Sequence, residues 1–176
     1  MRDNADSSFP VPISGTPTPP PAPGRAIIID TREKTPLVFP DEIPTKRDGL
    51  PTGDYSISGY RDRFTVERKS LQDLAFTLIY ERARFERELE RMRAFEFRRV
   101  LVVGSYADVA AGRYHYTRSR INPRAIVASV AAFEVRYGVP FIFAANASEA
   151  ARRVVDWAHY YVREKERPKT RKGPVC

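Results

Sequence analysis

Apolar and polar side chains alternate along Phe64-Thr65-Val66-Glu67-Arg68-Lys69, and this stretch constrains the chain more than any other. Alternation at a period of two predicts a strand, in which residues two apart share a face. Thr65, Glu67 and Lys69 then project together, while Phe64 and Val66 turn to the other side. Asp54, in Gly53-Asp54-Tyr55, stands thirteen residues before Glu67, and Asp73 follows soon after Lys69. If consecutive strands carry Asp54 and Glu67, two carboxylates and an ammonium meet. That set suits metal-assisted attack on a phosphodiester. Asp54 and Glu67 would hold a hard divalent cation, Mg²⁺ or Mn²⁺, through oxygen, and Lys69 would assist the attacking water or the phosphate. Each residue also has a plainer reading. Gly-Asp is ordinary turn chemistry, and Glu67 with Lys69 could be an exposed pair. Ser70-Leu71-Gln72-Asp73 reads equally as a capping box.

The same segments resemble the XPF-type (ERCC4-like) structure-specific DNA endonucleases. The likeness begins at Ile28-Ile29-Asp30-Thr31-Arg32-Glu33 and passes through Leu50-Pro51-Thr52-Gly53-Asp54-Tyr55. It continues in Glu67-Arg68-Lys69-Ser70, Asp73 and Arg84-Phe85, covering residues 25–162. The resemblance implies an α/β, restriction-endonuclease-like (PD-(D/E)XK-type) three-layer fold with a central mixed sheet flanked by helices. It implies a Mg²⁺- or Mn²⁺-dependent endonuclease preferring branched, flap or forked DNA. Asp30, Asp54, Glu67, Lys69 and Asp73 are then the catalytic candidates, and Arg32, Arg68 and Arg84 the candidate DNA contacts; in a regular strand Arg68 points away from Glu67 and Lys69, so its partner is either a structural acid or a phosphate. Two other readings stay open: another nuclease of the same fold (an exonuclease or junction resolvase), or a catalytically silent DNA-binding or scaffold domain. Silent members are expected to lose the acids or the lysine, whereas this chain keeps Asp54, Glu67 and Lys69.

Composition agrees with an anionic partner. The chain has 176 residues, about one domain, with 30% charged residues and a formal net charge of +8. Arg113-Tyr114-His115-Tyr116-Thr117-Arg118-Ser119-Arg120 interleaves tyrosine with arginine and contains no acid. Arg113, Arg118 and Arg120 are therefore candidate phosphate contacts. Arg84 lies in a run, Arg82 to Arg93, that mixes Arg and Glu at helical spacing, a pattern typical of a solvated, self-paired face. His115 and His159 lack metal-ligand spacing to another His or Cys. The single cysteine is the last residue, so no internal disulfide forms. No apolar run reaches membrane length and no secretory leader is evident, so a soluble intracellular protein is expected, cytoplasmic if prokaryotic or viral.

Residues 1–24, with seven prolines from position 10 to 23, read as a disordered arm, and residues 163–176 as a basic flexible tail. Between them, Ala26 to Ile29 predicts a buried strand and residues 34–51 a loop. Strands are expected near 50–57 and 63–69, then a long helix from Ser70 to about Phe97, broken at Glu81-Arg82. A strand over 99–104 is followed by a helix from Asn122-Pro123 to Gly138. The last strand spans 139–144, and a helix capped by Ser148 runs to about Val162. The stripes Ile126, Val130, Phe133 and Val154, Trp157, Tyr161 suggest more apolar surface than one core needs, hence a homodimer. Relatives of this type continue into a tandem helix-hairpin-helix module, for which the residues after Val162 leave no room. DNA affinity is then expected from the nuclease domain, the basic tail or another subunit.

Overall fold

The structure, a computed structural model, describes residues 25–114 and 121–167. The expected arm over 1–24 and the last residues of the expected tail lie outside that range. Six strands form one mixed sheet in the order β2-β1-β3-β4-β5-β6: β1 (Ile27–Asp30), β2 (Thr45–Asp48), β3 (Tyr55–Ile57), β4 (Phe64–Ser70), β5 (Phe97–Val103) and β6 (Phe141–Ala144). β3 runs antiparallel to both β1 and β4, whereas β4, β5 and β6 are mutually parallel. The β3–β4 pair is thus a hairpin whose second strand opens the parallel half of the sheet. Helices α1 (Leu71–Tyr80), α2 (Arg82–Met92), α3 (Tyr106–Ala110) and α4 (Pro123–Tyr137) pack together on one layer, and α5 (Ala147–Glu166) covers the other. This is the expected three-layer α/β architecture.

Alternation decides which side chain enters which core. Leu101 of β5 joins Ile27, Tyr55, Phe64 and Val66 under α5, while its neighbours Val100 and Val102 face Leu78, Phe85, Leu89 and Phe133. The stripes of α4 and α5 are consumed here. Ile126, Val130, Phe133 and Val154 are buried, and Trp157 and Tyr161 pack against the α5-side core. They cover the chain's own sheet, which removes the argument from surplus apolar surface for pairing two copies.

Local boundaries follow the caps. Asn122 accepts from Arg124 N, Pro123 takes the first turn, and Gly138 closes α4 in the left-handed region at φ 61°. α5 begins earlier than expected, because the Asn146 side chain accepts from Glu149 N and so caps it in place of Ser148. It also runs on to Glu166, since ion pairs hold its last turn: Glu166 with Arg25 at 2.7 Å, and Lys165 with Glu96. The helix expected to reach Phe97 stops at Met92, and Phe97 instead starts β5, stacked on Phe64 of the adjacent strand. The break at Glu81 is real and separates α1 from α2. The supposed loop 34–51 contains β2, an exposed edge strand, and only Tyr55–Ile57 of the strand expected near 50–57 is extended.

The end of the sheet away from the β4 C-terminus is locked by aromatic rings. Phe64 and Phe97 stack with centroids 4.4 Å apart, and Tyr161 of α5 meets Phe64 edge-on at 5.3 Å. Beside them Glu96 is paired with Arg63 and Lys165, which pull its carboxyl down to about 2. Phe64→Ala should cost about 3–5 kcal/mol, the usual range for a fully buried ring lost from a core. The shift in denaturant midpoint, at unchanged m value, reads this; a loss below about 1 kcal/mol would contradict the packing.

Candidate active site

The site forms where β3 begins and β4 ends. Gly53 has φ 75°, and a Cβ there would sit 2.2 Å from Thr65 Oγ1, so only glycine lets the chain turn this close to β4. The backbone beyond it is stitched on both sides: Asp54 N donates to Val66 O at 2.8 Å, and Asp30 N donates to Asp54 O at 2.8 Å. The Asp54 carboxylate then accepts from Arg68 N at 2.7 Å. One residue of β4 away, Glu67 is buried at 5% exposure, and Lys69 Nζ donates to Glu67 Oε1 at 2.5 Å. The expected shared face of Glu67 and Lys69 is present, and Asp54 joins them in one cleft.

Burial and mutual repulsion govern the charges. Burial, then the neighbouring Glu67 charge, pushes Asp54 up to about 8 despite the Arg68 hydrogen bond. Burial also raises Glu67, against the pull of Lys69. For Lys69, burial favours the neutral amine, but the Glu67, Glu88 and Asp54 carboxylates together outweigh it and keep the ammonium protonated. Two acids thus share one lysine, an arrangement that favours an added cation.

The other expected residues separate by role. Burial would raise Asp30, yet hydrogen bonds from Arg32 and from Leu50 N hold it below its ordinary value. Its two oxygens are taken by Arg32 N, Nε and Nη2 and by Leu50 N, at 2.6–3.1 Å. Arg32 itself is 70% exposed at the cleft rim. Arg68 lines the outer mouth of the cleft, and its guanidinium lies 3.6 Å from Glu33 Oε1. Its partner is therefore an acid of the turn after β1. Asp73 is exposed and closes the α1 cap, exchanging hydrogen bonds with Ser70, so the capping reading describes its contacts; it lines the outer mouth of the cleft. Arg84 also lines the cleft and is paired with Glu81. Arg113 pairs with Asp108 of α3 at 2.7 Å, while Arg118 and Arg120 lie outside the described residues. Glu33, in the quoted Asp-x-Arg-Glu run, lines the outer mouth of the cleft, whereas Glu88, hidden among the alternating Arg and Glu of α2, escaped the sequence reading.

Comparison with known proteins places this geometry in a family. The ERCC4 domain model matches residues 29–156, and the chain belongs to that family. Among solved structures, XPF from Aeropyrum pernix superposes with a TM-score of 0.63 at 24% identity, over 78% of this chain. The chain spans 65% of the length of that relative. XPF from Aeropyrum pernix in complex with DNA matches with a TM-score of 0.60, 24% identity, and coverage of 83% of this chain and 68% of the other. The shared fold is restriction-endonuclease-like. No curated protein sequence matches.

The raised acids make a stability prediction. Between the ordinary value of 3.8 and about 8, the folded chain keeps a proton on Asp54 that the unfolded chain has released. Stability in chelator should therefore fall as pH rises through that window. Asp54→Asn keeps an acceptor for Arg68 N and removes the charge, so it should raise Tm at pH 8 and flatten the dependence. An Asn variant that melts lower than wild type at pH 8 would contradict this electrostatic account.

Proposed function

We propose that the chain is a divalent-cation-dependent DNA endonuclease that acts at branched, flap or forked DNA. The meeting of Asp54, Glu67 and Lys69 in one cleft carries this reading. Their chemistry fits a hard cation. Both acids offer oxygen, their burial and mutual repulsion are relieved by positive charge, and the site is open to water and phosphate. Among the described residues no three His, Cys, Asp or Glu side chains gather as a complete cage. That suits Mg²⁺ or Mn²⁺, which keep several waters and take one or two carboxylates besides substrate phosphate. A bound ion there supplies activation of water and neutralisation of charge at the phosphate.

The chain's own groups do the rest. Asp54 is aimed by Arg68 N, and Glu67 by the β4 register. Lys69 places a permanent ammonium where negative charge develops. Asp30 ties the turn after β1 to Leu50 and holds Arg32 at the rim, and Asp73 fixes the start of α1. Arg32, Arg84 and Arg113 are the DNA contacts supported by exposure, and Arg118 and Arg120, outside the described residues, remain candidates from the sequence. Arg68 is better explained by Glu33 than by DNA. A relative of this fold was solved in complex with DNA, which supports the partner. The apolar stripes being spent, a homodimer would use other surface, such as Val135 and Tyr106, which are exposed. Sedimentation with and without DNA reads that state. Among the described residues no helix is long and apolar enough to cross a membrane.

Cleavage assays on linear, nicked, flap and forked DNA test the reading. Mg²⁺ or Mn²⁺ should be required, and Asp54→Ala or Glu67→Ala should abolish cleavage with the fold intact. Lys69→Ala should cut turnover by about 10²-fold or more while DNA affinity holds. Activity persisting in excess EDTA would refute the cation's role. Since α5 is helical to Glu166, the tail is tested by deleting residues 168–176. Three basic residues are lost (Lys169, Arg171, Lys172), so the slope of log affinity on log salt should flatten by up to about 3. An unchanged slope would remove the tail from DNA binding.

A further inference from the structure

Glu88 faces the same cleft, and nothing in the proposed chemistry uses it. α2 turns Arg84, Glu88 and Arg91 toward Asp54, Glu67 and Lys69. These positions are four and three apart, hence on one helical face. A carboxylate in the middle of a face that receives a polyanion weakens DNA binding, so it serves another purpose. Its neighbours indicate which. Lys69 Nζ lies 5.1 Å from the centroid of the Phe85 ring. Phe85 precedes Glu88 by three residues on α2, so one helical turn supplies both the ring against the ammonium and a carboxylate next to it. Glu88 lines the cleft together with Lys69 and Glu67 of β4 and Arg32 of the turn after β1, so its charge is felt by all three.

Lys69 has a difficulty that Glu88 resolves. Its ammonium is bonded to Glu67, and its side chain is only 11% exposed. A cation held by Asp54 and Glu67 draws on the same carboxylate and sets positive charge beside the ammonium. A buried ammonium deprived of its acceptor is costly, so the lysine would swing away unless another acceptor stood in reach. We propose that Glu88 is a positioning residue that takes up the Lys69 ammonium when Glu67 is committed to a cation, keeping the lysine aimed at the reacting phosphate. The inference rests on the nuclease reading, which gives Glu67 its cation. Glu88 does not touch the reacting atoms.

Three measurements on the full chain test it. Glu88→Ala should lower kcat by about 10–100-fold, the usual cost of losing a group that orients a site residue, with KM for DNA unchanged or lower. Glu88→Gln, which still offers an acceptor, should recover part of the rate. On a Lys69→Ala background Glu88→Ala should cost nothing more, since the two act as a unit. Mn²⁺ affinity, followed by electron paramagnetic resonance, should survive Glu88→Ala and be lost in Glu67→Ala. Nuclear magnetic resonance of labelled lysines should show the Lys69 ammonium signal perturbed by Glu88→Ala in Mg²⁺ but little changed in chelator. Unchanged turnover in Glu88→Ala, a further loss on the Lys69→Ala background, or a Mn²⁺ defect equal to that of Glu67→Ala would each overturn the proposal. If the wild-type chain cleaves no DNA, the nuclease reading fails instead. The lysine spectra then decide Glu88 alone, and a Lys69 signal indifferent to Glu88→Ala in Mg²⁺ overturns it.

Discussion

Two donations across the β3–β4 hairpin set the position of the whole site. Asp54 N donates to Val66 O, and Arg68 N donates to the Asp54 carboxylate. The first fixes the backbone of Asp54 against β4, and the second fixes its side chain against the same strand two residues on. Neither bond forms unless Gly53 can turn with φ near 75° beside Thr65, where no side chain fits. A residue just before β3 and another from near the end of β4 are therefore held at one rim. Antiparallel pairing does this without a long connection, because it places the beginning of one strand opposite the end of the other.

That geometry costs stability in the cation-free chain. Asp54 and Glu67 are close, both withdrawn from water, and served by one ammonium. Burying an acid is tolerated only with a partner, and here the partners fall one short. Asp30, whose backbone N donates to Asp54 O, shows the opposite design. Its side chain is also shielded from solvent, yet four donors satisfy it and hold its carboxyl below the ordinary value. The contrast separates acids that hold the fold from acids that await a ligand: Asp30 has donors enough to offset its burial, and Asp54 and Glu67 do not.

Much of this was legible in the residues. The alternation from Phe64 to Lys69 gave the strand and the shared face of Glu67 and Lys69, because period two is imposed by the backbone itself. Asn122-Pro123 and Gly138 gave the limits of α4, because capping chemistry is local. What was missed depended on distant partners. β2 carries Thr-Lys-Arg-Asp, with no apolar pattern, and is a strand only because β1 offers it an edge. The last turn of α5 is held by Arg25 and Glu96, remote in sequence. Phe97 looked like the end of a helix until Phe64 provided a ring to stack on. Glu88 is one acid among several on α2, and only the packing of Phe85 beneath Lys69 distinguishes it.

The two ends of β4 divide the work. At its start, Phe64 is clamped between Phe97 and Tyr161, with Tyr60, Arg63 and Glu96 around them. At its end, Glu67 and Lys69 stand among charges. β4 pairs with β5 over seven consecutive positions, from Phe64 opposite Phe97 to Ser70 opposite Val103, so displacement at one end is resisted along the entire strand. The aromatic end supplies apolar packing that the acidic end lacks, and the continuous ladder transmits that rigidity to the carboxylates. A site built from repelling charges can then keep its geometry while it waits for a cation, since the strand that carries it is anchored elsewhere.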